Sequence, residues 1–181
     1  MKMRSVCVFC GPSVGRQAIY KDEAVRLGRE LVKRNITLIY GGGSIGLMNI
    51  IAETVLLNGG KVVGVIPQKL YDNGWGRHDL TELVVVDSMH ERKVTMMRRA
   101  DSFIALPGGY GTIEEIFEAV TLTQLKYHRK ACGLLNIAGY FDSLVSFLNR
   151  SVKDHFITEK HRAFLLLDND STRLLDQLEV F

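Results

Sequence analysis

Apolar residues fall along this chain in short blocks of two alternating kinds. The first kind is a brief, unbroken β-rich run: Ser5–Cys10, Ile36–Tyr40, Lys61–Ile66, Leu83–Val86, Ser102–Leu106, Cys132–Leu135 and Phe164–Leu167. The second is a longer stretch with apolar positions at helical spacing. Ile19–Arg34 carries Ala24, Leu27 and Leu31 on one stripe, and Thr112–Tyr127 carries Ile113, Ile116, Phe117 and Val120. Leu47–Leu57, His90–Ala100, Phe141–His155 and the segment from Ser171 onward read as helices as well. Strands that are apolar throughout, rather than at alternate positions, are covered on both faces, which predicts a parallel sheet with helices on each side. The expected fold class is therefore α/β, a doubly wound parallel sheet in one domain spanning residues 1–181. There is no internal repeat, low-complexity tract or linker.

The breaks between blocks carry the first functional signal. Gly11-Pro12-Ser13 ends the first strand, Gly41-Gly42-Gly43 the second, and Pro107-Gly108-Gly109 the fifth. In a doubly wound sheet, ligands bind beyond the carboxyl ends of the strands. All three glycine clusters belong there. Residues 68–80 read as a polar loop containing Asp72, Asn73, Gly74 and Gly76.

Composition narrows the classes without choosing among them. The chain has 181 residues, 46% hydrophobic and 24% charged, which excludes global disorder. The longest strictly apolar runs, such as Phe164–Leu167, fall far short of the ~18 residues that span a bilayer. The basic start, Met1-Lys2-Met3-Arg4, leads only to Val6–Phe9 before Gly11-Pro12 breaks the run, so no secretory leader is expected. Three cysteines, an odd number, fit a reducing compartment, and the expected location is cytoplasmic. A net charge of +3 permits anionic ligands and does not call for nucleic acid.

Three constellations remain to be weighed. Gly41 to Gly46 matches G-x-G-x-x-G between a strand and a helix, but the next strand ends Val65-Ile66-Pro67, without the acid that holds a dinucleotide ribose. The glycines then serve either a turn or the approach of backbone N–H groups to another phosphate, and the second reading is favoured. Pro107-Gly108-Gly109-Tyr110-Gly111-Thr112 is a stronger anion nest, with a helix N-terminus behind it and no Walker lysine. Thr112-x-x-Glu115 also reads as a capping box. Two acids beside an anion nest repel the ligand, a cost better understood if one carboxylate faces a reacting carbon. Met89-His90-Glu91-Arg92-Lys93, with Arg98 and Arg99, is a basic cluster; alone it is a solvated helix face, and no interleaved aromatics suggest single-stranded nucleic acid. Cys7 and Cys10, an odd separation on a strand, point to opposite faces and read as buried thiols. The histidines show no metal spacing, and neither metal nor cofactor is expected.

Taken together, Tyr40-Gly41-Gly42-Gly43-x-x-Gly46-Leu47-Met48, Met89-His90-Glu91-Arg92-Lys93 and Pro107-Gly108-Gly109-Tyr110-Gly111-Thr112-x-Glu114-Glu115 resemble the Lonely Guy (LOG) family, the cytokinin riboside 5′-monophosphate phosphoribohydrolases. Cys10-Gly11-x-Ser13-x-Gly15, Gly64-Val65-Ile66-Pro67 and Gly133-Leu134-Leu135-Asn136-x-x-Gly139-Tyr140 match too, so the resemblance runs from Val6 to about Phe156. It implies a Rossmann-like subunit that forms homodimers and hydrolyses the N-glycosidic bond of adenosine-type 5′-monophosphates to free base and ribose 5-phosphate. It implies Arg92 and Glu115 as the catalytic pair. Gly43, Ser44, Met89, Lys93, Gly108, Gly109, Tyr110, Gly111 and Thr112 are the expected substrate- and phosphate-binding residues. The family has also carried the label "lysine decarboxylase", for which no pyridoxal-phosphate lysine context is seen. The other reading in view is a nucleotide-binding carrier or sensor without turnover. Pro12, Asn49, the loop around Gly74, Leu122 and Ala131 depart from the common family pattern.

The chemistry fits these residues independently. Breaking a bond from ribose C1′ to a base nitrogen builds oxocarbenium-like positive charge on the sugar. A carboxylate beside C1′ stabilises that charge and activates water.

Overall fold

The computed structural model describes residues 3–181. Seven strands form one sheet: β1 (Ser5–Phe9), β2 (Thr37–Tyr40), β3 (Val62–Pro67), β4 (Glu82–Val86), β5 (Ser102–Ala105), β6 (Cys132–Leu135) and β7 (Leu165–Asp168). Eight α-helices accompany them: α1 (Ala18–Lys33), α2 (Gly46–Leu57), α3 (Gln68–Asp72), α4 (Met89–Arg99), α5 (Tyr110–Gln124), α6 (Asp142–Lys153), α7 (Glu159–Arg162) and α8 (Ser171–Val180). The strand order is β4-β3-β2-β1-β5-β6-β7, and every neighbouring pair is parallel. The doubly wound sheet expected from the unbroken apolar strands is the sheet observed.

Alternation along each strand divides the core into two layers. Val6, Val8 and Cys10 face one side, against Leu27 and Leu31 of α1, Ile51 and Val55 of α2, and Leu174 and Leu178 of α8. Cys7 and Phe9 face the other, against Met96 and Met97 of α4, Ile116 and Ala119 of α5, and Leu148 of α6. Phe9 stacks on Phe103 of β5 with ring centroids 5.9 Å apart. Cys7 and Cys10 are thus buried in opposite layers as free thiols, as their odd spacing required. Among the described residues no helix is long and apolar enough to cross a membrane.

The winding direction reverses at β1. From β4, at one edge, α4 carries the chain back under the sheet, and β5 pairs with the free side of β1: Val6 opposite Ser102, Phe9 opposite Ala105. This reversal opens a crevice beyond the carboxyl ends of β1, β2 and β5.

Three local expectations are corrected. α5 starts at Tyr110, not Thr112, with Gly109 as a backbone N-cap and no side-chain cap. The proposed Thr112–Glu115 capping box is absent, because Thr112 already lies inside the first turn with its side chain buried against Gly108. A box-like cap forms instead at α4, where Ser88 Oγ accepts from Glu91 N (3.1 Å) and Glu91 reaches back to Asp87 N (3.0 Å). The "polar loop" 68–80 contains α3, a single turn held by Gln68 donating to Asp72 (2.7 Å) and closed where Gly74 N donates to Tyr71 O. One turn is too short to show a hydrophobic period. The same holds for α7, which is capped by Thr158.

Gly46 is where α2 meets the β1 loop. Its φ is +64°, and an added Cβ would lie 2.1 Å from the Pro12 carbonyl carbon. Gly46→Ala combines left-handed strain with a backbone overlap, so we expect a loss of about 2 kcal/mol or more. Urea unfolding of wild type and variant measures it; an unchanged midpoint would show that the two loops do not meet as described.

Candidate active site

The crevice holds a cleft of about 490 Å³. Its floor is the turn after each central strand: Cys10-Gly11-Pro12, Gly41–Gly43 and the start of α5. One wall is polar and contains Arg92, Thr112 and Glu115; the facing wall is apolar, with Ile45, Met48, Ile66, Leu70 and Trp75.

Arg92 reaches the crevice because the Ser88 cap fixes where α4 begins, directly beyond β4. Its Nε donates to the Val65 carbonyl of β3 (3.0 Å) and Nη2 to the Gly41 carbonyl after β2 (2.7 Å). Nη1 approaches Met89 Sδ at 3.3 Å. A guanidinium has five N–H donors, so after these three contacts two remain for a ligand. The fit is tight: a Cβ on Gly41 would come within 1.9 Å of Arg92 Nη2.

Glu115 lies on the next turn of α5 beyond the anion nest, half-buried in the cleft wall. Among the described residues nothing donates a hydrogen bond to its carboxylate. Burial pushes its pKa up from 4.5 to about 7; Arg92 and Lys93 pull it down, while Glu114 and Glu118 add to the rise. A carboxylate poised near neutrality, unpaired and facing a cleft, has the properties of a general base.

The α5 N-terminus supplies the nest. The first turn of a helix leaves its N–H groups without intrahelical partners, and here those of Gly109 to Thr112 border the cleft. At Gly109 and Gly111 an added Cβ would meet nothing within 4 Å, and neither has a positive φ. Neither packing nor backbone conformation therefore demands glycine at these two positions, and their bare backbone leaves room for a group from the cleft to come close. On the far side, Tyr140 Oη donates to the Gly108 carbonyl (2.7 Å) and holds the loop.

The family model described as "Possible lysine decarboxylase" matches residues 48–178. A protein of Oryza sativa subsp. japonica bearing the name "Probable cytokinin riboside 5′-monophosphate phosphoribohydrolase" is 48% identical over 180 residues, covering 99% of this chain and 79% of its own. A cytokinin riboside 5′-monophosphate phosphoribohydrolase of Arabidopsis thaliana is 46% identical over 178 residues, covering 98% and 84%. The chain belongs to the LOG family. Among solved structures, the molybdenum cofactor binding protein of Rippkaea orientalis superposes with a TM-score of 0.73, covering 99% of this chain and 98% of its own, at 17% identity. That likeness is one of fold.

The structure brings seven of the expected LOG site residues to the cleft: Gly43, Arg92, Gly109, Tyr110, Gly111, Thr112 and Glu115. Four others lie outside its lining. Lys93, expected to meet substrate, turns toward α5 and pairs with Glu114 and with Glu118, the latter at 2.7 Å. α5 carries three acids in two turns, and an ammonium between two of them is better placed than one in the cleft. The Ser44 hydroxyl donates to the Trp75 carbonyl (3.1 Å). Met89 is exposed beside Arg92, and Gly108 borders a second cleft of about 310 Å³ with Ser13 and Tyr140. The basic cluster is not a continuous patch, since Arg99 pairs with Glu82 (2.8 Å).

The apolar wall escaped the reading of the sequence. Trp75 had one available signal, a lone tryptophan in an otherwise polar, glycine-containing segment. The decarboxylase label implies pyridoxal phosphate, and the cleft does not fit it: among the described residues its lining has no lysine to form a Schiff base.

Holding Glu115 unpaired has a cost that can be measured. Its carboxyl has an unfolded pKa near 4.5 and a folded pKa of about 7. The folded state therefore binds the proton more tightly, and stability falls as pH rises from about 4.5 to about 7. A displacement of this size corresponds to roughly 3 kcal/mol. Glu115→Gln should raise the melting temperature at pH 8 and do so far less at pH 4.5. An equal gain at both pH values would mean that the carboxylate charge is not what strains the site.

Proposed function

We propose that this protein hydrolyses the N-glycosidic bond of adenosine-type 5′-monophosphates, including those modified at N6, to give the free base and ribose 5-phosphate. The observation that carries the reading is Glu115: an unpaired carboxylate with a pKa near neutrality, facing the cleft from the same wall as anchored Arg92 and one turn beyond an anion nest. Its relatives' names state the same reaction.

The 5′-phosphate takes the N–H groups of Gly109 to Thr112 and the positive end of α5. That sets the ribose over the second turn, between Arg92 and Glu115. Arg92 uses its two free donors on the sugar hydroxyls or phosphate. As the C1′–nitrogen bond breaks, its electron pair leaves with the base and positive charge grows on the sugar. The Glu115 carboxylate stabilises that charge and takes a proton from the attacking water, whose oxygen bonds to C1′. The proton taken by Glu115 passes, directly or through solvent, to the departing base, which leaves Glu115 ionised again.

We also infer that the protein acts in the cytoplasm as a homodimer. Tyr110, 98% exposed at the mouth of the cleft, gives a second copy apolar surface to cover. Light scattering behind size exclusion should give twice the chain mass; a monomer would remove that inference.

Wild type and Glu115→Gln are to be incubated with AMP and with N6-isopentenyl-AMP, and base and ribose 5-phosphate followed by chromatography. Wild type should release both products. Glu115→Gln should lose a factor on the order of 10²–10³ or more. Because the carboxylate form is the active one, wild-type kcat/KM should rise with pH through about 7 and level off above it. Nucleotide bound without release of base at any pH would favour a carrier or sensor instead.

A further inference from the structure

Residues 73–79 form a strap whose middle, Trp75–Arg77, is fixed to the Gly42–Ser44 stretch. Ser44 donates to the Trp75 carbonyl from both its amide (3.0 Å) and its hydroxyl (3.1 Å). Gly43 and Gly76 pair as an antiparallel bridge, and Arg77 N donates to Gly42 O (3.0 Å). Trp75 N donates to Leu70 O (3.2 Å), tying the strap to α3. The far end is pinned by a side chain. The Arg77 guanidinium, only 13% exposed, grips both Asp79 oxygens (2.6 and 2.8 Å) and donates to Asn49 Oδ1 on α2 (2.7 Å).

A backbone held this firmly does not need its tryptophan for anchorage. Yet Trp75 stands at the cleft with 54% of its surface exposed. Large exposed aromatics on rigid supports are typical of binding surfaces, because little conformational entropy is lost when they are covered. The position of the cleft says what covers this one. With phosphate at the α5 N-terminus and ribose between Arg92 and Glu115, the base points along the remaining wall: Met48, Ile66, Leu70 and Trp75. The only side-chain N–H or oxygen on that wall is the indole N–H, which is a donor. An unsubstituted 6-amino group, also a donor, finds no acceptor among these side chains. An apolar group in its place finds an apolar surface.

We propose that Trp75 sets base selectivity in this protein by packing against an apolar substituent at the purine six-position. Arg77 is the positioning residue that holds the strap, and with it the indole, over the cleft. The substrate follows from the hydrolase reading, but the interaction can be tested without turnover.

Trp75 is the only tryptophan in the chain, so its fluorescence reports on this wall alone. The probes are AMP and N6-isopentenyl-AMP, added to wild type and to Glu115→Gln, with acrylamide as quencher. Saturating N6-isopentenyl-AMP should shield the indole and cut quenching about twofold or more, while AMP should shield it much less. Calorimetry should show that Trp75→Ala weakens N6-isopentenyl-AMP about 10- to 50-fold, the effect of losing one aromatic face of contact, and AMP less than threefold. Trp75→Phe should recover most of the preference. Arg77→Met should lower the preference with Trp75 still present, through KM and not kcat. If catalysis is absent but this pattern of shielding and affinity holds, the selectivity proposal stands and the hydrolase reading falls. Equal shielding by the two nucleotides, equal losses for both in Trp75→Ala, or quenching that tracks protein concentration rather than nucleotide would each overturn it. The last outcome would mean that a second copy covers the indole.

Discussion

The Arg92 guanidinium, bonded to the carbonyls of Gly41 and Val65, closes the cleft floor onto the sheet. β2 ends at Tyr40 while β3 runs on to Pro67, so the Gly41 and Val65 carbonyls lie past the last β2–β3 pair, Tyr40 opposite Gly64. Here a charged side chain bonds to them from a helix that crosses beneath the sheet. The arrangement requires α4 to begin at Met89, which the Ser88–Glu91 cap ensures, and it requires glycine at 41. One cation therefore satisfies backbone acceptors, fixes the register of α4 and presents two remaining donors to a ligand.

The acids on α5 form the other half of the electrostatic design. Glu114, Glu115 and Glu118 lie within two turns. Lys93 takes the outer two, leaving the middle carboxylate with Arg92 as its nearest source of positive charge. Lys93 thus works by its absence from the cleft. A lysine directed at Glu115 would hold that carboxyl ionised and paired, and so less able to accept a proton. The anion nest, meanwhile, is built from N–H groups alone, so phosphate can bind without bringing a mobile cation close to the base.

The cleft has two walls of different chemistry because they come from different parts of the chain. The polar wall is made by α4 and α5, after the crossover. The apolar wall is made by α2, α3 and the strap, before it. The strap is tied to α2 by the bond from Arg77 to Asn49. Arg92 of the polar wall is held by other contacts, to the carbonyls of Gly41 and Val65, so the two walls rest on separate supports.

Much of this was legible in the residues. Unbroken apolar strands specify a sheet covered on both faces, since no other arrangement buries them. The spacing of Cys7 and Cys10 specified opposite faces because the strand period is two. The glycine clusters marked the crevice because a parallel sheet presents its carboxyl ends together. Other features depended on contacts between residues far apart in sequence. α5 begins at Tyr110 because Gly109 caps it through its backbone and Thr112 packs on Gly108, so a valid capping sequence went unused. Lys93 leaves the substrate for two acids on another helix. α3 is too short to show a period, and Trp75 reaches the cleft only because the strap pairs with the Gly41–Ser44 turn. The sequence by itself determined the layers, the sheet and the place of the cleft, since periodicity and turn chemistry are local. Only the tertiary structure decided which charges face the ligand and which apolar side chains surround it, because those depend on what each side chain meets across the fold.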